Sequence, residues 1–439
     1  MAGKKNPAPT KPGKGASSRT APSRHQKQSP LKDANHTIEK TGSEDEIRRQ
    51  QTLLNIFSST FREVLEAEDF SSQLQEVKTA LFNRDFGGAF AREAALDVYA
   101  ARWSPTRALC YGQILRGLDS HLRRLATEDS TRGDYSYHNA GDNSVLGEEG
   151  KCETRTSTHG DEVGRATKGE AEIEGSEEPN APLTTIERGN GKQEKTRPLK
   201  ILAIGGAAAE IVAFADYISS SHDDNTPPPH VDLTLLDVGP WGSIVSRLQS
   251  ALTSTPPLSR YASAAAREAN KPLVASTSFQ SKFVQNDILS LPQEELAGLL
   301  AGPTVITLLF TLNELYTASG IKRTTSFLRL LSALAHPGTL LLVVDSPGSY
   351  SEAAVGKEAK RYPMQWLLDH TLVPPPSNPR KQASDSDDNV RESVQKPGVK
   401  WEKIESHDSV WFRVAEGLRY PIPLENMRYQ MHLYRASAS

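Results

Sequence analysis

The feature that most constrains the fold is an alternation of apolar runs and helical patterns from Leu199 to the C-terminus. Each of five strand-like runs precedes a helical pattern: LKILAIGG, VDLTLLDV, KFVQNDIL, TVITLLFTL and GTLLLVVD. This alternation predicts a parallel, doubly wound α/β sheet. Two more strand-like runs, SVWFRV and RYQMHLYR, follow with no helix-length pattern between them, which favours an antiparallel pair at the sheet edge. We therefore expect a seven-stranded, mostly parallel sheet.

The remaining chain divides into tracts of contrasting composition. The N-terminal tract, up to residue 43, is basic and rich in Pro, Ser and Gly. The tract over 127–197 is acidic and nearly free of aromatic residues, and both tracts are expected to be disordered. The tract between them, over 44–126, has apolar residues at helical spacing. The spacing begins after Ser43 and Glu46, which form an N-cap box pattern. The predicted organisation is a tail over 1–43, a helical segment over 44–126, a linker over 127–197 and a core over 198–439 with loop insertions at 253–277 and 374–398.

Composition excludes several classes of protein. With two cysteines, Cys110 and Cys152, a disulfide framework is not expected. No run approaches the roughly 20 apolar residues that span a bilayer, so we expect no membrane partner, and no secretory signal is visible. Residues 1–32 of the tail contain eight Lys and Arg residues and no acid, which favours nuclear or nucleolar targeting and weak phosphate attraction. A solubilising tail of a cytoplasmic protein and a mitochondrial presequence remain alternatives.

Small and acidic residues follow the first three predicted strands. Gly205, Gly206 and Ala207 come after the first strand, where a tight turn brings backbone N–H groups close to a ligand. Asp237 ends the second strand, where a carboxylate can accept ribose hydroxyls, and Trp241 shortly after it is a further candidate for cofactor binding. The third strand ends at Asp287, which can accept an adenine amino group, beside the apolar wall Ile288. This order suits S-adenosyl-L-methionine; NAD would share only the first two features.

The fourth and fifth strands carry polar residues at the same edge. Asn313 and Glu314 interrupt the run LLFTLNELYT, and Asp345 closes the fifth strand, with Tyr350 shortly after it. Because the carboxyl ends of parallel strands share one edge, we expect these side chains to face the reacting atoms. No metal site is predicted, and the oligomeric state is left open.

A cluster of Arg102, Trp103 and Arg107 surrounds the break at Ser104-Pro105, where one helix should end and another begin. One interpretation is a tryptophan packed in a helical corner. The other is a wall over a nucleotide or RNA.

Several long runs are similar to a known family: TLLFTLNELYT, LLLVVDSPGSYSE, KRYPMQWLLDHTL, RYPIPLENMRYQMHLYR and, upstream, YAARWSPTRALCY. They resemble a fungal family of adenosylmethionine-dependent methyltransferases that includes the enzyme modifying N3 of a uridine in 25S rRNA. The resemblance covers the helical segment and the core. It implies a class I methyltransferase fold, adenosylmethionine as cofactor, a nucleolar setting and rRNA or a pre-ribosomal particle as partner. The Gly-poor turn at 205–209 departs from the richest glycine versions.

The resemblance implies roles for individual residues. Glu314 is the first candidate for the base that removes the N3 proton, and Asn313 for holding a uracil carbonyl; Asp345 and Tyr350 are second choices. Because N3 lies on the Watson–Crick edge, the base must be unpaired or flipped, with Trp241 and Tyr350 as stacking partners. Arg102, Arg107 and the tail would hold phosphates.

Three alternatives stay open. The cluster Glu425-Asn426-Met427-Arg428 can be the exposed face of an edge strand. The protein can be an assembly factor that keeps the fold without activity, or a nicotinamide-dependent reductase.

Overall fold

Seven strands form the central sheet of the computed structural model. The described residues contain nine strands, of which β6 and β7 lie outside this sheet. In chain order they are β1 (Leu199–Ile204), β2 (Val231–Asp237), β3 (Phe279–Gln285), β4 (Val305–Leu309), β5 (Leu340–Asp345), β6 (Tyr350–Val355), β7 (Glu358–Pro363), β8 (Val399–Phe412) and β9 (Met427–Ala438). Across the sheet the order is β3-β2-β1-β4-β5-β9-β8. Strands β1 to β5 are parallel, whereas β9 runs antiparallel to both β5 and β8. The predicted mostly parallel sheet with an antiparallel edge pair is confirmed.

The structure describes residues 43–127, 197–220, 229–348, 350–355, 358–373 and 398–439, with the backbone alone at 350–355 and 358–361. Within these ranges β6 and β7 form a separate antiparallel hairpin. The predictions made for the tail, for the linker and for the loop insertion at 374–398 lie almost wholly outside the described residues.

Thirteen helices are described. They are α1 (Glu44–Thr60), α2 (Arg62–Leu65), α3 (Phe70–Phe82), α4 (Phe86–Phe90), α5 (Glu93–Arg102), α6 (Ser104–Gly117), α7 (Asp119–Thr127), α8 (Ala208–Ser220), α9 (Gly242–Thr253), α10 (Ala264–Ala269), α11 (Gln293–Leu299), α12 (Leu312–Leu334) and α13 (Met364–Leu372). The predicted break between two helices at Ser104-Pro105 is confirmed, since α5 ends at Arg102 and proline stands in the first turn of α6. None of the described helices is long and apolar enough to cross a membrane.

Helices cover both faces of the sheet. Successive side chains of a strand point to opposite faces, and in β1 Ile201 and Ala203 join one apolar cluster while Leu202 and Ile204 join the other. The first cluster contains residues of α1, α5, α6, α8 and α9, so the N-terminal helices pack on the sheet layer. The second contains residues of α11, α12 and α13. Glu44–Ser439 accordingly form one compact unit.

A buried ionic network joins the N-terminal helices to the core. Asp216 on α8 has no exposed side-chain surface and pairs with Arg49 of α1 and Arg116 of α6. Arg116 also lies 3.3 Å from Glu46 on α1. Burial opposes the charge of Glu46, but the neighbouring guanidinium groups of Arg49 and Arg116 hold its pKa below the usual value. The charged groups of three helices thus neutralise one another at this contact.

The placement of Asn313 and Glu314 at a strand tip is wrong. Strand β4 ends at Leu309, and α12 begins at Leu312, so both residues lie in the first turn of a helix. The chain reverses at Phe310, which has a positive φ of 60°. Helix α12 then continues past a break at Gly320, whose φ is 80°. The sequence predicts a single strand through this apolar run because no glycine marks the turn at Phe310.

Other boundaries also shifted. Strand β8 begins at Val399, well before the predicted run at Ser409, because its first half alternates buried and exposed residues on an edge strand. A short helix, α10, forms inside the loop insertion predicted at 253–277. Strand β7 extends to Pro363, and α13 begins directly after it at Met364.

Candidate active site

A cavity of about 520 Å³, which we call the first cavity, opens at the carboxyl ends of β1 to β4. Seven predicted site residues line it: Gly205, Ala207, Asp237, Trp241, Asp287, Ile288 and Glu314. Of the other described positions, Gly206, Asn313 and Asp345 do not line it, and the side chain of Tyr350 lies outside the described part of the chain. This sheet edge is where ligands bind in open α/β folds.

The turn after β1 brings backbone close to the cavity. Gly205 has a φ of 68°, and a Cβ atom there would collide with the side chain of Thr311. Next in the turn, the Ala207 N–H donates to Glu210 Oε2 at 2.8 Å. A Cβ atom on Gly206 would lie 2.7 Å from the Cβ of Ala203, so that glycine serves packing and is not at the cavity wall. The turn therefore needs glycine at 205 for space and conformation.

Burial shapes the acidity of Glu210, which sequence reasoning did not single out. The residue is 6% exposed and lines the first cavity. Burial raises its pKa to about 7, although the hydrogen bond from Ala207 opposes the shift. The sequence signal that could have identified Glu210 is its position in the first turn of α8. A glutamate side chain there can accept a backbone N–H from the turn before the helix.

Asp237 holds the turn after β2. Its Oδ1 accepts hydrogen bonds from the Gly239 N–H at 2.7 Å and from Trp241 Nε1–H at 3.1 Å. Burial raises the pKa of Asp237 to about 6, and these hydrogen bonds oppose the shift. Trp241 is buried and meets Tyr99 edge-on, with ring centroids 5.9 Å apart. Trp241 is therefore fixed in the wall of the first cavity, which does not favour its predicted stacking on a target base.

Asp287 is engaged mainly by its own turn. Its Oδ1 accepts from the Leu289 N–H at 2.9 Å and its Oδ2 from the Ser290 hydroxyl at 2.8 Å. Arg323 lies 3.8 Å from the same carboxylate. Beside it Ile288, 6% exposed, supplies an apolar wall. The acceptor role of Asp287 toward an adenine amino group stays a prediction.

Glu314 reaches the first cavity from the first turn of α12 and is partly buried. Burial raises its pKa to about 7; the positive charge of Arg107 opposes the shift, and the negative charges of Asp237 and Asp345 add to it. A carboxylic acid with such a pKa is poised to accept or release a proton near neutrality.

Asp345 is not at the cavity, contrary to our expectation. It is 2% exposed and lies at the end of β5. Its Oδ2 accepts the backbone N–H of Asn313 at 3.0 Å, and its Oδ1 accepts the backbone N–H of Ser346 at 2.8 Å. The bond from Asn313 satisfies an otherwise unpaired N–H group at the start of α12, and the bond from Ser346 fixes the carboxylate at the end of β5. Asp345 and Asn313 thus support Glu314 from behind the cavity wall.

The two arginines of the helical corner are paired inside the protein. Arg107 donates to the Tyr99 hydroxyl and lies over the Tyr99 and Phe310 rings, 5.3 and 5.1 Å from their centroids. Arg102, 8% exposed, forms an ion pair with Glu425 and lies 5.7 Å from the Trp103 ring. Their role as phosphate anchors stays a prediction, which the engagement of both guanidinium groups by protein partners does not favour.

A second cavity of about 210 Å³ adjoins the helical corner. Its lining comes from the corner between α5 and α6, from the turn after β4 and from the start of β9 with the two residues before it: Arg102, Trp103, Thr106, Arg107, Phe310, Glu425, Asn426, Met427 and Arg428. Arg107 and Phe310 line both cavities. The interpretation of residues 425–428 as only an exposed edge is therefore incomplete.

Residues 57–435 match a family model described as "Putative SAM-dependent methyltransferase". The chain belongs to this family. It is a methyltransferase, and the nicotinamide-dependent alternative falls with that assignment.

The methyltransferase is also similar to individual proteins. It is 26% identical over 391 residues to a Saccharomyces cerevisiae protein named 25S rRNA (uridine(2843)-N(3))-methyltransferase, covering 88% of this chain and 85% of that protein. A SAM-dependent methyltransferase structure from Methanosarcina mazei is 10% identical, with a TM-score of 0.27, over 55% of this chain and 94% of that one. The N-methyltransferase NodS of Bradyrhizobium japonicum, in complex with S-adenosyl-L-homocysteine, is 10% identical with a TM-score of 0.24, over 54% and 78%.

The first cavity of the methyltransferase fits adenosylmethionine. Its volume is within the roughly 300–1,000 Å³ typical of small-molecule sites. Glycine at 205 keeps the turn after β1 close to the cavity, and Asp237 stands at the end of β2, where ribose hydroxyls are bound in this fold class. The acids Glu210, Asp237 and Glu314 line the cavity with one arginine, Arg107. A cationic sulfonium ligand is favoured there, because a positive charge stabilises the ionised carboxylates.

Among the described residues, no group of three or more His, Cys, Asp or Glu side chains is placed to hold a metal ion.

Proposed function

We propose that this methyltransferase transfers a methyl group to N3 of a uridine in large-subunit (25S) rRNA. Support comes from its chain-wide similarity to the yeast protein named for that reaction. The observation that carries the proposal is Glu314, a carboxyl group at the first cavity with a pKa of about 7. A base of this kind is needed when the atom that receives the methyl group still carries a hydrogen.

Uridine N3 is such an atom. The imide nitrogen is protonated at neutral pH, and its lone pair becomes available only as the N–H bond breaks. A base whose pKa lies near the working pH has a large ionised fraction and still holds a proton well, which is the optimum for general-base catalysis. Glu314 meets both conditions because burial has raised its pKa. The proton passes to the Glu314 carboxylate while the N3 electron pair forms the new N–C bond.

When bound, adenosylmethionine supplies an electrophilic methyl carbon on a sulfonium sulfur, and the C–S bond pair stays with sulfur. The residues of the chain supply the remaining functions. Arg107, which lies between the two cavities, places a fixed positive charge where the uracil oxygens gain negative charge. Trp241, Ile288 and the ring of Phe310 exclude water around the site, which strengthens this interaction. Asn313 does not line either cavity, so its backbone, and not its amide, supports Glu314.

The proposal includes the cellular setting. Methylation at N3 needs the Watson–Crick edge of the uridine to be unpaired or flipped out, and we propose rRNA or a pre-ribosomal particle as the substrate that offers it. We therefore place the protein in the nucleus and nucleolus, which agrees with the basic composition of residues 1–32.

The experiment is nucleoside mass spectrometry of 25S rRNA from a strain that lacks the gene. Loss of 3-methyluridine, restored by the wild-type gene but not by Glu314→Gln, supports the proposal. Unchanged 3-methyluridine in the deletion strain would overturn it. Recovery of the modification by the Gln variant would remove Glu314 as the base.

A further inference from the structure

We infer that the second cavity is the subsite for the target pyrimidine of the RNA, with the Thr106 hydroxyl as a hydrogen-bonding group for the base. This inference rests on the proposed function, which says what reaction occurs, and adds where the acceptor base is held.

The size and position of the second cavity suit one base. Its volume of about 210 Å³ lies below the roughly 300–1,000 Å³ of sites for drug-sized ligands, so it suits a single ring and not a whole nucleoside cofactor. It shares Arg107 and Phe310 with the first cavity. A pyrimidine held in the second cavity therefore presents one edge to the first cavity, which Glu314 lines.

Thr106 provides an independent indication of a ligand. It is 5% exposed and lines the second cavity, and its Oγ1 has no hydrogen-bond partner among the residues that the structure describes. A buried hydroxyl without a partner is unfavourable, and such exceptions call for a ligand or water. Uracil offers two carbonyl acceptors, O2 and O4, on either side of N3. The Thr106 hydroxyl can donate to one of them and so fix the orientation of the ring.

The walls of the second cavity also suit a base. Trp103 and Phe310 supply aromatic surface, which stacks on any nucleobase. Phe310 has the unusual backbone φ of 60° for a residue with a bulky side chain, and its N–H donates to the Val344 carbonyl at 2.7 Å. Backbone conformations of this cost cluster at ligand sites, where the surrounding structure enforces them. The strained turn keeps the Phe310 ring between the two cavities.

The entrance of the second cavity continues into a surface that fits single-stranded RNA. Arg428 lines the cavity, and its guanidinium group also lies 5.7 Å from the ring of Trp411. Trp411 is 53% exposed, and the guanidinium group of Arg413 lies 5.5 Å from the same ring. An exposed aromatic ring between two cations is the combination that stacks a base and holds its phosphates. We assign it to a nucleotide that neighbours the target.

The first test compares two matched variants, Thr106→Val and Thr307→Val. Both remove a buried hydroxyl that has no partner in the described structure, but Thr307 on β4 lines neither cavity. Binding is measured by fluorescence anisotropy with a uridine-centred single-stranded RNA, and adenosylmethionine binding by calorimetry. Thr106→Val is expected to weaken RNA binding about threefold to tenfold, as loss of one hydrogen bond does, while cofactor affinity and melting temperature are kept. Thr307→Val is expected to bind RNA like the wild type. Equal RNA affinity of the two variants would overturn the assignment.

A second measurement is independent of turnover. An RNA with 4-thiouridine at the target position is cross-linked by light, and the attached peptides are identified by mass spectrometry. Cross-links to Trp103, Thr106, Phe310 or Met427 support the subsite, whereas cross-links confined to other regions contradict it.

A pair of tryptophan variants tests the surface beside the second cavity. Trp411→Ala should weaken RNA binding. The matched control is Trp366 of α13, an exposed residue that stacks on Tyr362 and His370, and Trp366→Ala should bind RNA like the wild type. If the wild type binds and cross-links in this way but makes no 3-methyluridine, the proposed function fails and the base subsite stands.

Discussion

The backbone N–H of Asn313 donates a hydrogen bond to Asp345 Oδ2 at 3.0 Å. This bond ties the first turn of α12 to the end of β5. Glu314 follows Asn313 directly, so its approach to the first cavity depends on where that turn begins. Asp345 is a positioning residue for Glu314, and not the second candidate base that its place at a strand end suggested.

Replacing Asp345 with alanine should lower both stability and rate. Loss of the cap at the start of α12 should reduce the free energy of unfolding in urea by about 0.5–2 kcal/mol. The conservative variant Asp345→Asn keeps an acceptor oxygen and should recover most of that loss. Because the charge of Asp345 helps to raise the pKa of Glu314, the Asn variant should also shift the pH–rate profile to lower pH. A profile identical to that of the wild type would contradict the coupling.

Gly205→Ala should weaken cofactor binding. A Cβ atom at this position meets the Thr311 side chain in a turn with a φ of 68°. Gly302 is the matched control, since its φ is 89° but a Cβ atom there meets nothing within 4 Å. Both variants carry the conformational cost of a positive φ. Only Gly205→Ala should lose adenosylmethionine affinity in calorimetry, and an equal loss in both would show that backbone strain alone matters.

The contribution of two buried glutamates to the stability of the ligand-free protein should fall as pH rises from about 4.5 to about 7. Glu210 and Glu314 have pKa values of about 7 in the folded protein, above the usual 4.5. The folded state then binds more protons than the unfolded state between about pH 4.5 and 7, and stability falls with pH across that window. Glu314→Gln should reduce this fall in urea unfolding, whereas Glu294→Gln, on the exposed face of α11, should not. An unchanged pH dependence in the first variant would contradict the raised pKa.

Removing the buried carboxylate of Asp216 should be severe. Asp216→Asn leaves the guanidinium groups of Arg49 and Arg116 without their shared partner, and such losses cost about 3–5 kcal/mol. The exposed pair Arg92–Glu76 provides the control, because its side chains are 67% and 61% exposed. Glu76→Gln should change the free energy of unfolding by less than about 1 kcal/mol. Similar effects of both variants would argue against a network that joins the N-terminal helices to the core.

The architecture was predictable because its signals are periodic. Alternation of strands and helices fixed the parallel sheet, and the absence of a helix before RYQMHLYR predicted the antiparallel pair. The edge at which Gly205, Asp237 and Glu314 gather followed from the direction of parallel strands. These conclusions need no knowledge of where any single side chain points.

The unpredicted parts depend on tertiary contacts. Nothing in the local sequence shows that the Phe310 backbone turns with a positive φ, because no glycine marks the position. Nothing local shows that Asp345 is directed at the N–H of Asn313, which is 32 residues away in sequence. The pairing of Arg107 with Tyr99 and Phe310 likewise requires the corner between α5 and α6 to pack against the loop after β4. For these reasons the sequence indicated the cluster of Arg102, Trp103 and Arg107, but not the cavity that it forms with residues 425–428.

The most direct test of the account is the single-turnover rate of 3-methyluridine formation as a function of pH, for the wild type and for Glu314→Gln. The wild-type rate is predicted to rise with pH up to about 7, the pKa of Glu314, and then to level off. The variant is predicted to be about 10²–10⁴-fold slower, without that inflection, and to bind adenosylmethionine with near-normal affinity. A Gln variant with full turnover and an unchanged profile would contradict the assignment of Glu314 as the base.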